Sequence, residues 1–273
     1  MTVRATLVLF FCIACATTTF AQTSTSSSAA LSGGSAAVYD NFNEKFLDPL
    51  RWNLSSSCFA GSGLEMECVR EIQAGQLRLA HRNFGQRDSD VGFQFGGDSL
   101  ILSNPASLTT IVTDLTIRDV EEINCPANPE LGAAAGIAGT FFNTGTGNSN
   151  DDVGGGLAFG RVFTDPKGQI TVFGQINQGP NFFFYTSLGT VQMGTPVRAT
   201  LVWDQSNHQF LISWTDLVTG VKTKGTMPYS LSDTAPPTTP YGALNVSTFP
   251  ANCTANQTWV YMETDFDNVQ IAK

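Results

Sequence analysis

The chain has 273 residues, a formal net charge of −9 and only 14% charged residues, with 26 glycines and 20 phenylalanines. Such an acidic chain is a poor partner for nucleic acid or for anionic lipid surfaces, because both are negatively charged. Low charge combined with many glycines and phenylalanines is typical of a loop-rich β protein rather than a helical one.

The first 21 residues have the three parts of a secretory signal peptide. Arg4 supplies the positive charge, Leu7 to Ala14 form an apolar segment too short to cross a bilayer, and Thr19-Phe20-Ala21 offers a small-x-small cleavage site. We therefore expect cleavage after Ala21 and a secreted or cell-envelope, extracytoplasmic location. Lipidation of Cys15 is the alternative. Because no other apolar run approaches the roughly 18 residues of a membrane span, we predict no membrane insertion of the mature chain.

Residues 22–37 consist almost entirely of Ser, Thr, Ala and Gly. Such a segment cannot bury enough apolar surface to offset the entropy of ordering its backbone, so it predicts a flexible linker. The folded domain is then expected to cover residues 38–273, a length within the range of one large β-sandwich.

Four cysteines remain after removal of the signal peptide, and an oxidising compartment favours disulfides. Four cysteines allow three pairings. We favour a local bond between Cys58 and Cys68 and a long-range bond between Cys125 and Cys253. A zinc site is the competing interpretation, but the sequence has no C-x-x-C spacing and only two histidines.

Alternation of apolar and polar residues predicts strands along most of the domain, and helical periodicity is nearly absent. Turn residues at 165–168 and 204–208 predict two hairpins, and Thr219-Gly220 predicts a further turn. Short strands at this spacing are typical of a sandwich of two antiparallel sheets. The main predicted strands are 76–82, 110–118, 157–163, 169–177, 198–203, 209–214, 241–249 and 259–271.

The two ends of the domain also read as strands. Tyr39-Asp40-Asn41-Phe42, followed by Trp52, stands near the beginning, and Phe266-Asp267-Asn268-Val269 stands near the end. A chain that ends directly in a strand usually docks that strand within a sheet. We therefore predict that the first and last strands pair as neighbours.

These two terminal motifs and the hairpin beginning at Arg198-Ala199-Thr200-Leu201-Val202-Trp203-Asp204 resemble the concanavalin A-like lectin/glucanase superfamily. That superfamily includes laminin-G-type modules and laminarinase-type glycoside hydrolases. The resemblance implies an all-β, two-sheet antiparallel jelly-roll sandwich over the whole domain. It also implies either glycan binding or glycan cleavage, two functions that the fold alone does not separate.

Glycoside hydrolysis requires two carboxylates on opposite sides of the scissile bond. The laminarinase-type enzymes use a Glu-x-Asp-x-(x)-Glu strand, and this chain departs from that pattern. The segment Glu65-Met66-Glu67 is followed by Glu71 and not by acids at the family's spacing, and it lies beside the expected Cys58–Cys68 bond. Glu263 and Asp267 have a suitable spacing but lie on the last strand, where a rim strand with solvated acids is expected.

Neither histidine supports a nucleophilic mechanism. His208 lies in a predicted turn, where we expect it to be solvated, and His81 follows two leucines in strand phase, which favours a packed or rim histidine over a general base.

The resemblance also implies a structural calcium ion, because many members of the superfamily hold one with a carboxylate of the final strand and carbonyl oxygens near the first strand. Asp267 matches that carboxylate, and hard cations prefer oxygen ligands. The alternative is that Asp267 accepts backbone hydrogen bonds. The loop 148–152 is a weaker candidate, since Asn and Asp there are typical of turns.

Glycan recognition requires aromatic rings next to amides, hydroxyls and charged groups on an open surface. Strand 169–177 has four candidate side chains on one face, and strand 110–118 has three. If these two faces belong to one sheet, Arg161 and Tyr185 can join them. The alternative is an ordinary solvated sheet face. The candidate ligand-binding residues are Asp114, Thr116, Arg118, Arg161, Thr171, Phe173, Gln175, Asn177 and Tyr185.

The sequence thus favours a secreted, non-enzymatic module that binds a polysaccharide or cell-surface glycan on a concave sheet. A divergent glycoside hydrolase or polysaccharide lyase is the first alternative, and an extracellular structural or envelope protein without a small ligand is the second. The sequence does not indicate an oligomeric state.

Overall fold

The computed structural model of the protein describes residues 36–54, 58–60, 65–128, 132–162, 165–179 and 181–273, without the side chains of residues 162 and 181–183. The predicted signal peptide and nearly all of the predicted linker lie outside the described residues. The first strand begins at Ala37, one residue before the predicted start of the domain.

Within the described part of the chain the secondary structure consists of sixteen β-strands and two short 3-10 turns. The strands are β1 Ala37–Asp40, β2 Trp52–Asn53, β3 Phe59–Ala60, β4 Met66–Gln73, β5 Gln76–Phe84, β6 Gly96–Leu102, β7 Thr110–Ile123, β8 Gly132–Asn143, β9 Asp152–Val162, β10 Gln169–Gln178, β11 Asn181–Gln192, β12 Val197–Asp204, β13 Gln209–Asp216, β14 Lys222–Pro228, β15 Gly242–Phe249 and β16 Trp259–Ala272.

The strands form two eight-stranded antiparallel sheets. Sheet A has the order β14-β13-β12-β7-β16-β5-β4, with β1 also paired to β16. Sheet B has the order β11-β10-β9-β8-β15-β6-β2, with β3 also paired to β6. This arrangement confirms the predicted all-β, two-sheet antiparallel jelly-roll sandwich. The predicted hairpins are confirmed as β9–β10 and β12–β13.

The last strand lies in the middle of sheet A. On one side β16 pairs with β7 along nearly its whole length, and on the other it pairs first with β5 and then with β1, where Val38 lies opposite Gln270. The predicted pairing of the two ends is therefore confirmed. The expectation of a rim strand at 263–267 is wrong, because neighbours on both sides satisfy the backbone of β16 there.

A buried aspartate explains the motif at the start of the domain. Asp40, which is 5% exposed, accepts hydrogen bonds from the Trp52 indole at 2.6 Å and from the Phe42 backbone N–H at 2.9 Å. The Phe42 and Trp52 rings stack at 5.8 Å and are fully buried. A buried carboxylate is tolerated only when it is hydrogen-bonded. The hydrogen bond from Trp52 to Asp40 therefore holds the first strand against the core.

The core lies between the two sheets and consists of alternate residues from the facing sides of each strand. Leu77, Leu115 and Phe266 come from sheet A, whereas Phe159 and Ile176 come from sheet B, and all are at most 2% exposed. The intervening residues of each strand consequently form two outer faces, one on each side of the molecule.

The predicted cysteine pairing is confirmed. Cys58 pairs with Cys68, and Cys125 with Cys253, with Cα–Cα distances of 6.2 Å and 5.4 Å. The second bond spans 128 residues and joins the segment after β7 of sheet A to the segment after β15 of sheet B. A bond that closes so long a loop restricts the unfolded chain strongly, which is worth about 4–5 kcal/mol in the chain-entropy model.

None of the helical turns among the described residues is long enough or apolar enough to span a membrane.

Candidate functional site

The polar residues predicted on strand 169–177 do share a face. Ile170, Val172 and Ile176 of β10 belong to the core, so the alternate residues point outward from sheet B. These are the four predicted side chains of that strand, Thr171, Phe173, Gln175 and Asn177.

Next to this polar face the sheet surface is lined by very small side chains. On β8 the outward residues are Ala134, Gly136 and Ala138, because Ala135 and Ile137 between them point into the core. On β9 the outward residues Gly156 and Ala158 lie between core residues in the same way. Ala134, Ala138, Gly156 and Ala158 line a shallow depression that we call the trough, and Gly136, paired with Ala158, completes its floor.

The strand register places larger side chains on both sides of the floor. Gln175 of β10 lies opposite Gly156 of β9, and Phe173 lies opposite Ala158. On the far side, Asn245 of β15 lies opposite Gly136 of β8. With neighbouring strands about 4.8 Å apart, the backbones of β10 and β15 are separated by about 14 Å across the trough.

One wall of the trough carries a stacked aromatic pair. The rings of Phe173 and Tyr185 stack at 5.2 Å with an interplanar angle of 30°. Phe173 is 2% exposed, whereas Tyr185 is 56% exposed. The Phe173 ring leans over Gly160, where a Cβ atom would lie 3.0 Å from it, so glycine makes room for the ring. Tyr185 is thereby supported on one side and open to solvent.

Sequence reasoning missed the opposite wall, which β15 supplies. Asn245, Ser247 and Phe249 border the trough there, and Phe249 stacks on Phe95 at 5.2 Å. The prediction of a strand over 241–249 is confirmed, and its alternation indicated which residues share a face. It did not indicate that this face lies beside β8.

Three polar side chains at the trough have no hydrogen-bond partner within the described part of the chain. These are the amides of Gln175 and Asn245 and the hydroxyl of Ser247. The deepest part of the trough encloses about 20 Å³, room for little more than one water molecule. A larger ligand would therefore lie on the surface of the trough, where amides can act as both donors and acceptors.

Four of the predicted ligand-binding residues do not reach the trough. Asp114, Thr116 and Arg118 belong to β7 and lie on the outer face of sheet A, on the opposite side of the sandwich. Arg161 points inward from β9 and pairs with Glu122 at 3.1 Å, and burial raises the pKa of Glu122. The expectation of one shared groove is therefore wrong for these four residues.

The outer face of sheet A is occupied by ion pairs between neighbouring strands, which we call the ion-pair ladder. Arg78 contacts Glu71 at 2.8 Å and Glu263 at 2.9 Å. Arg198 donates to both carboxylate oxygens of Asp114, at 2.7 and 2.8 Å. Further pairs join Arg82 to Glu67 and Arg118 to Asp265.

This ladder engages Glu263, one of the two acids that a hydrolase on the last strand would need. The hydrogen bond from Arg78 lowers the pKa of Glu263, against the opposing effect of burial, and Tyr261 also donates to Glu263. A carboxylate held ionised by arginine is a poor general acid. None of the described residues that line the trough carries a carboxylate.

The two histidines are not arranged for nucleophilic catalysis. His81 is fully buried between the sheets, where its Nδ1 lies 2.8 Å from the Thr248 hydroxyl, and burial lowers its pKa to about 4. His208 is paired through Nδ1 with Asp233 at 3.1 Å. The nearby Ser206 donates to Asp204 instead of to His208.

Asp267 lies on β16 beside a bulge and accepts a hydrogen bond from the Asn268 backbone N–H. Its pKa is raised, first by burial and then by the negative charges of Asp114 and Asp40. Asp114 is engaged with Arg198, and Asp40 with the Trp52 indole. Among the described residues these three carboxylates do not gather into one ligand cluster. A calcium ion at this position would therefore have Asp267 as its single carboxylate ligand, and calcium binding stays a prediction.

Two other clusters of ligand-type side chains each contain a disulfide, Cys58–Cys68 beside His81 and Cys125–Cys253 beside Asp90. Sulfur in a disulfide is not a thiolate ligand. In the loop 148–152, Asp152 accepts from Asn143, Thr238 and Thr239, and Asp151 accepts from Thr146 and Gln178. These contacts hold the turn together.

No family model matches the sequence, and no curated protein matches it. Among solved structures the chain is similar to lectin UEA-II complexed with galactose, with 10% identity, a TM-score of 0.40 and coverage of 86% of this chain and 99% of that one. It is also similar to winged bean acidic lectin complexed with methyl-alpha-D-galactose, with 12% identity, a TM-score of 0.36 and coverage of 80% and 99%. Scytalido-glutamic peptidase with a peptide-based transition state analog gives 10% identity, a TM-score of 0.37 and coverage of 66% and 74%.

Proposed function

We propose that this protein is a secreted, non-enzymatic module that binds a glycan in the trough on the outer face of sheet B. One observation carries the proposal: a strip of very small side chains lies between two walls that bear aromatic rings and unpaired amides. Sugars present apolar C–H faces and many hydroxyls, so they match aromatic faces and amides respectively.

The shape of the site favours a carbohydrate over a compact small molecule. Pockets for small molecules usually enclose most of their ligand, whereas this trough is shallow. A glycan chain can gain affinity from several weak contacts along an open surface. Gln175 and Asn245 line opposite sides of the trough, and Tyr185 lies beside Gln175 on β11.

Binding without cleavage is supported by the placement of the acids. Cleavage requires a protonated and an ionised carboxyl group flanking the bond, and the described residues that line the trough provide neither. Export is supported by the signal-like residues 1–21 and by the two disulfides, since disulfides persist in oxidising compartments.

A glycan array combined with a reducing-sugar assay tests this proposal. We expect the purified protein to retain at least one class of glycan and to release no reducing ends from it. Release of sugar ends would support the hydrolase or lyase alternative. Retention of no glycan would support the structural-protein alternative.

We also propose that Asp267 binds a structural calcium ion together with backbone carbonyls near β1. The raised pKa of Asp267 supports this, because burial first and the charges of Asp114 and Asp40 second disfavour its ionised form, which a divalent cation would stabilise. Thermal melts with calcium and with EDTA test it, since a bound ion stabilises the folded state by mass action. We expect EDTA to lower the Tm of the wild type and not of Asp267→Asn. Equal wild-type melts in both buffers would contradict calcium binding.

A further inference from the structure

We infer, building on the proposed glycan function, that the ligand is an uncharged, extended oligosaccharide lying lengthwise along β8 and β9 and bound without calcium. The inference concerns the chemical class and the orientation of the ligand. It rests on the strand register, the distribution of charge around the trough and the position of the candidate calcium ligand.

The orientation follows from the register of the sheet. The pairs Ala138–Gly156, Gly136–Ala158 and Ala134–Gly160 form successive rows of small residues along the same two strands. Two rows have larger side chains on both sides, Phe173 and Asn245 beside one and Thr171 and Ser247 beside the other, whereas the third row has Gln175 on the β10 side and the small Ala243 on the β15 side. The trough therefore runs parallel to β8 and β9, and a ligand lying across these strands would contact the side chains on both sides of the floor.

The length of this path requires more than one sugar. From Ala134 to Ala138 the floor covers four residue steps of β8, which corresponds to about 14 Å at the usual rise of a strand. Polar groups stand along both sides of it, with Gln175 on β10 and with Asn245 and Ser247 on β15. A single sugar at one end would leave part of these groups unused, so affinity should grow with chain length.

The absence of charge indicates the chemical class. None of the described residues that line the trough is charged. Arg161, the cation on β9, is turned into the sandwich and paired with Glu122. Asp165, at the end of β10, accepts a hydrogen bond from the Thr171 hydroxyl at 3.0 Å. An anionic sugar would therefore find no cation to pair with and would meet a chain of net charge −9.

Independence from calcium follows from the placement of Asp267. This residue lies on β16 in sheet A, whereas the trough lies on the outer face of sheet B, on the other side of the core. Removing a metal ion from Asp267 should change stability without removing any group that contacts the glycan.

The test is calorimetric titration of the full mature chain with two series of oligosaccharides, in calcium and in EDTA. One series contains neutral glucan, mannan and galactan fragments from disaccharide to octasaccharide. The other contains oligouronates of the same lengths. We expect neutral fragments to bind at least tenfold more tightly than oligouronates, affinity to rise with length until the floor is filled, and EDTA to leave affinity unchanged.

Two trough variants and one control variant locate the binding site. Ala158→Leu adds bulk to the floor, and we expect it to lower affinity at least tenfold, whereas Thr200→Leu on the outer face of sheet A should have no effect. Gln175→Ala removes a wall amide without adding bulk, so it remains informative if Ala158→Leu fails to fold. We expect it to lower affinity severalfold.

Tighter binding of oligouronates, affinity independent of length, or full affinity in both trough variants would overturn this inference while leaving glycan binding intact. Failure to bind any glycan in either series or on the array would overturn the proposed function itself.

Discussion

The two outer faces of the sandwich are built from the same kind of antiparallel strands, yet their surfaces differ in chemistry. The outer face of sheet A carries the ion-pair ladder, in which Arg78 and Arg198 neutralise acids on adjacent strands. The outer face of sheet B carries the trough, whose described lining residues are uncharged. On sheet A the arginines of the ladder pair with acids of neighbouring strands, whereas on sheet B amides such as that of Gln175 have no partner among the described residues.

The difference shows which face is suited to bind a ligand. An arginine already paired with a carboxylate must lose that partner before it can hold a ligand, whereas an unpaired amide beside a trough gains a partner on binding. Polar residues on a sheet face are therefore weak predictors of a binding site until their partners are known.

The largest effect is expected from a single methyl group on the trough floor. A Cβ atom at Gly136 would lie 2.2 Å from the Leu157 carbonyl oxygen, so β8 and β9 could not keep their present pairing. We expect Gly136→Ala to lower the free energy of unfolding by about 3 kcal/mol or more, measured by urea denaturation. Thr200→Ala on sheet A is the control and should change it by less than about 0.5 kcal/mol. Equal stability of the two variants would show that the floor tolerates larger side chains.

The second expected effect is a pH dependence of stability caused by His81, which is buried between the two sheets. Burial lowers the pKa of His81 from 6.5 to about 4, so between these pH values the unfolded chain binds a proton that the folded chain does not. Stability is therefore full above pH 6.5 and falls with decreasing pH, by about 3 kcal/mol in total.

Urea denaturation of the wild type and His81→Gln between pH 7 and pH 4 measures this effect. The carboxylates titrate in both proteins. The difference between the two plots of unfolding free energy against pH therefore gives the contribution of His81 alone. Parallel curves would contradict the assignment of His81 as a buried neutral base.

The aromatic wall of the trough provides the third comparison. Tyr185 is exposed and supported by Phe173, so its ring is held in place before a ligand arrives. We expect Tyr185→Ala to weaken glycan binding about tenfold, or about 1.4 kcal/mol, without changing the Tm by more than a few degrees. Tyr261→Ala on sheet A is the matched control for binding. A loss of affinity in the control and not in Tyr185→Ala would move the site to the other sheet.

The smallest effect is expected on the ion-pair ladder. The guanidinium of Arg198 is 43% exposed, so solvent screens its pairing with Asp114. We expect Arg198→Gln to cost about 0.5 kcal/mol of stability, less in high salt, and to leave glycan affinity unchanged. Denaturation at two salt concentrations and a titration with the same oligosaccharides measure these effects. A clear loss of affinity would contradict the assignment of sheet A as a structural face.

Several features of this protein were predictable from sequence because they depend on local pattern. The alternation in β10 placed Thr171, Phe173 and Gln175 on one face, and the turn residues identified the β9–β10 hairpin. The cysteine pairing and the meeting of the two ends were also predicted correctly. The strand faces and the turns lie within short segments, whereas the Cys125–Cys253 bond and the paired ends join segments that are distant in sequence.

The trough was decided by tertiary structure. Alternation with a period of two shows which residues of a strand share a face, but it does not show to which of two sheets the strand belongs. For this reason β7, with Asp114 and Arg118, was grouped with β10 although it lies in the other sheet. Strand β8, rich in Gly and Ala, offers no contrast between apolar and polar residues, so the trough floor left no signal in the sequence. The alternation in the sequence thus determined which residues of each strand share a face. Long-range strand pairing determined which faces lie next to each other.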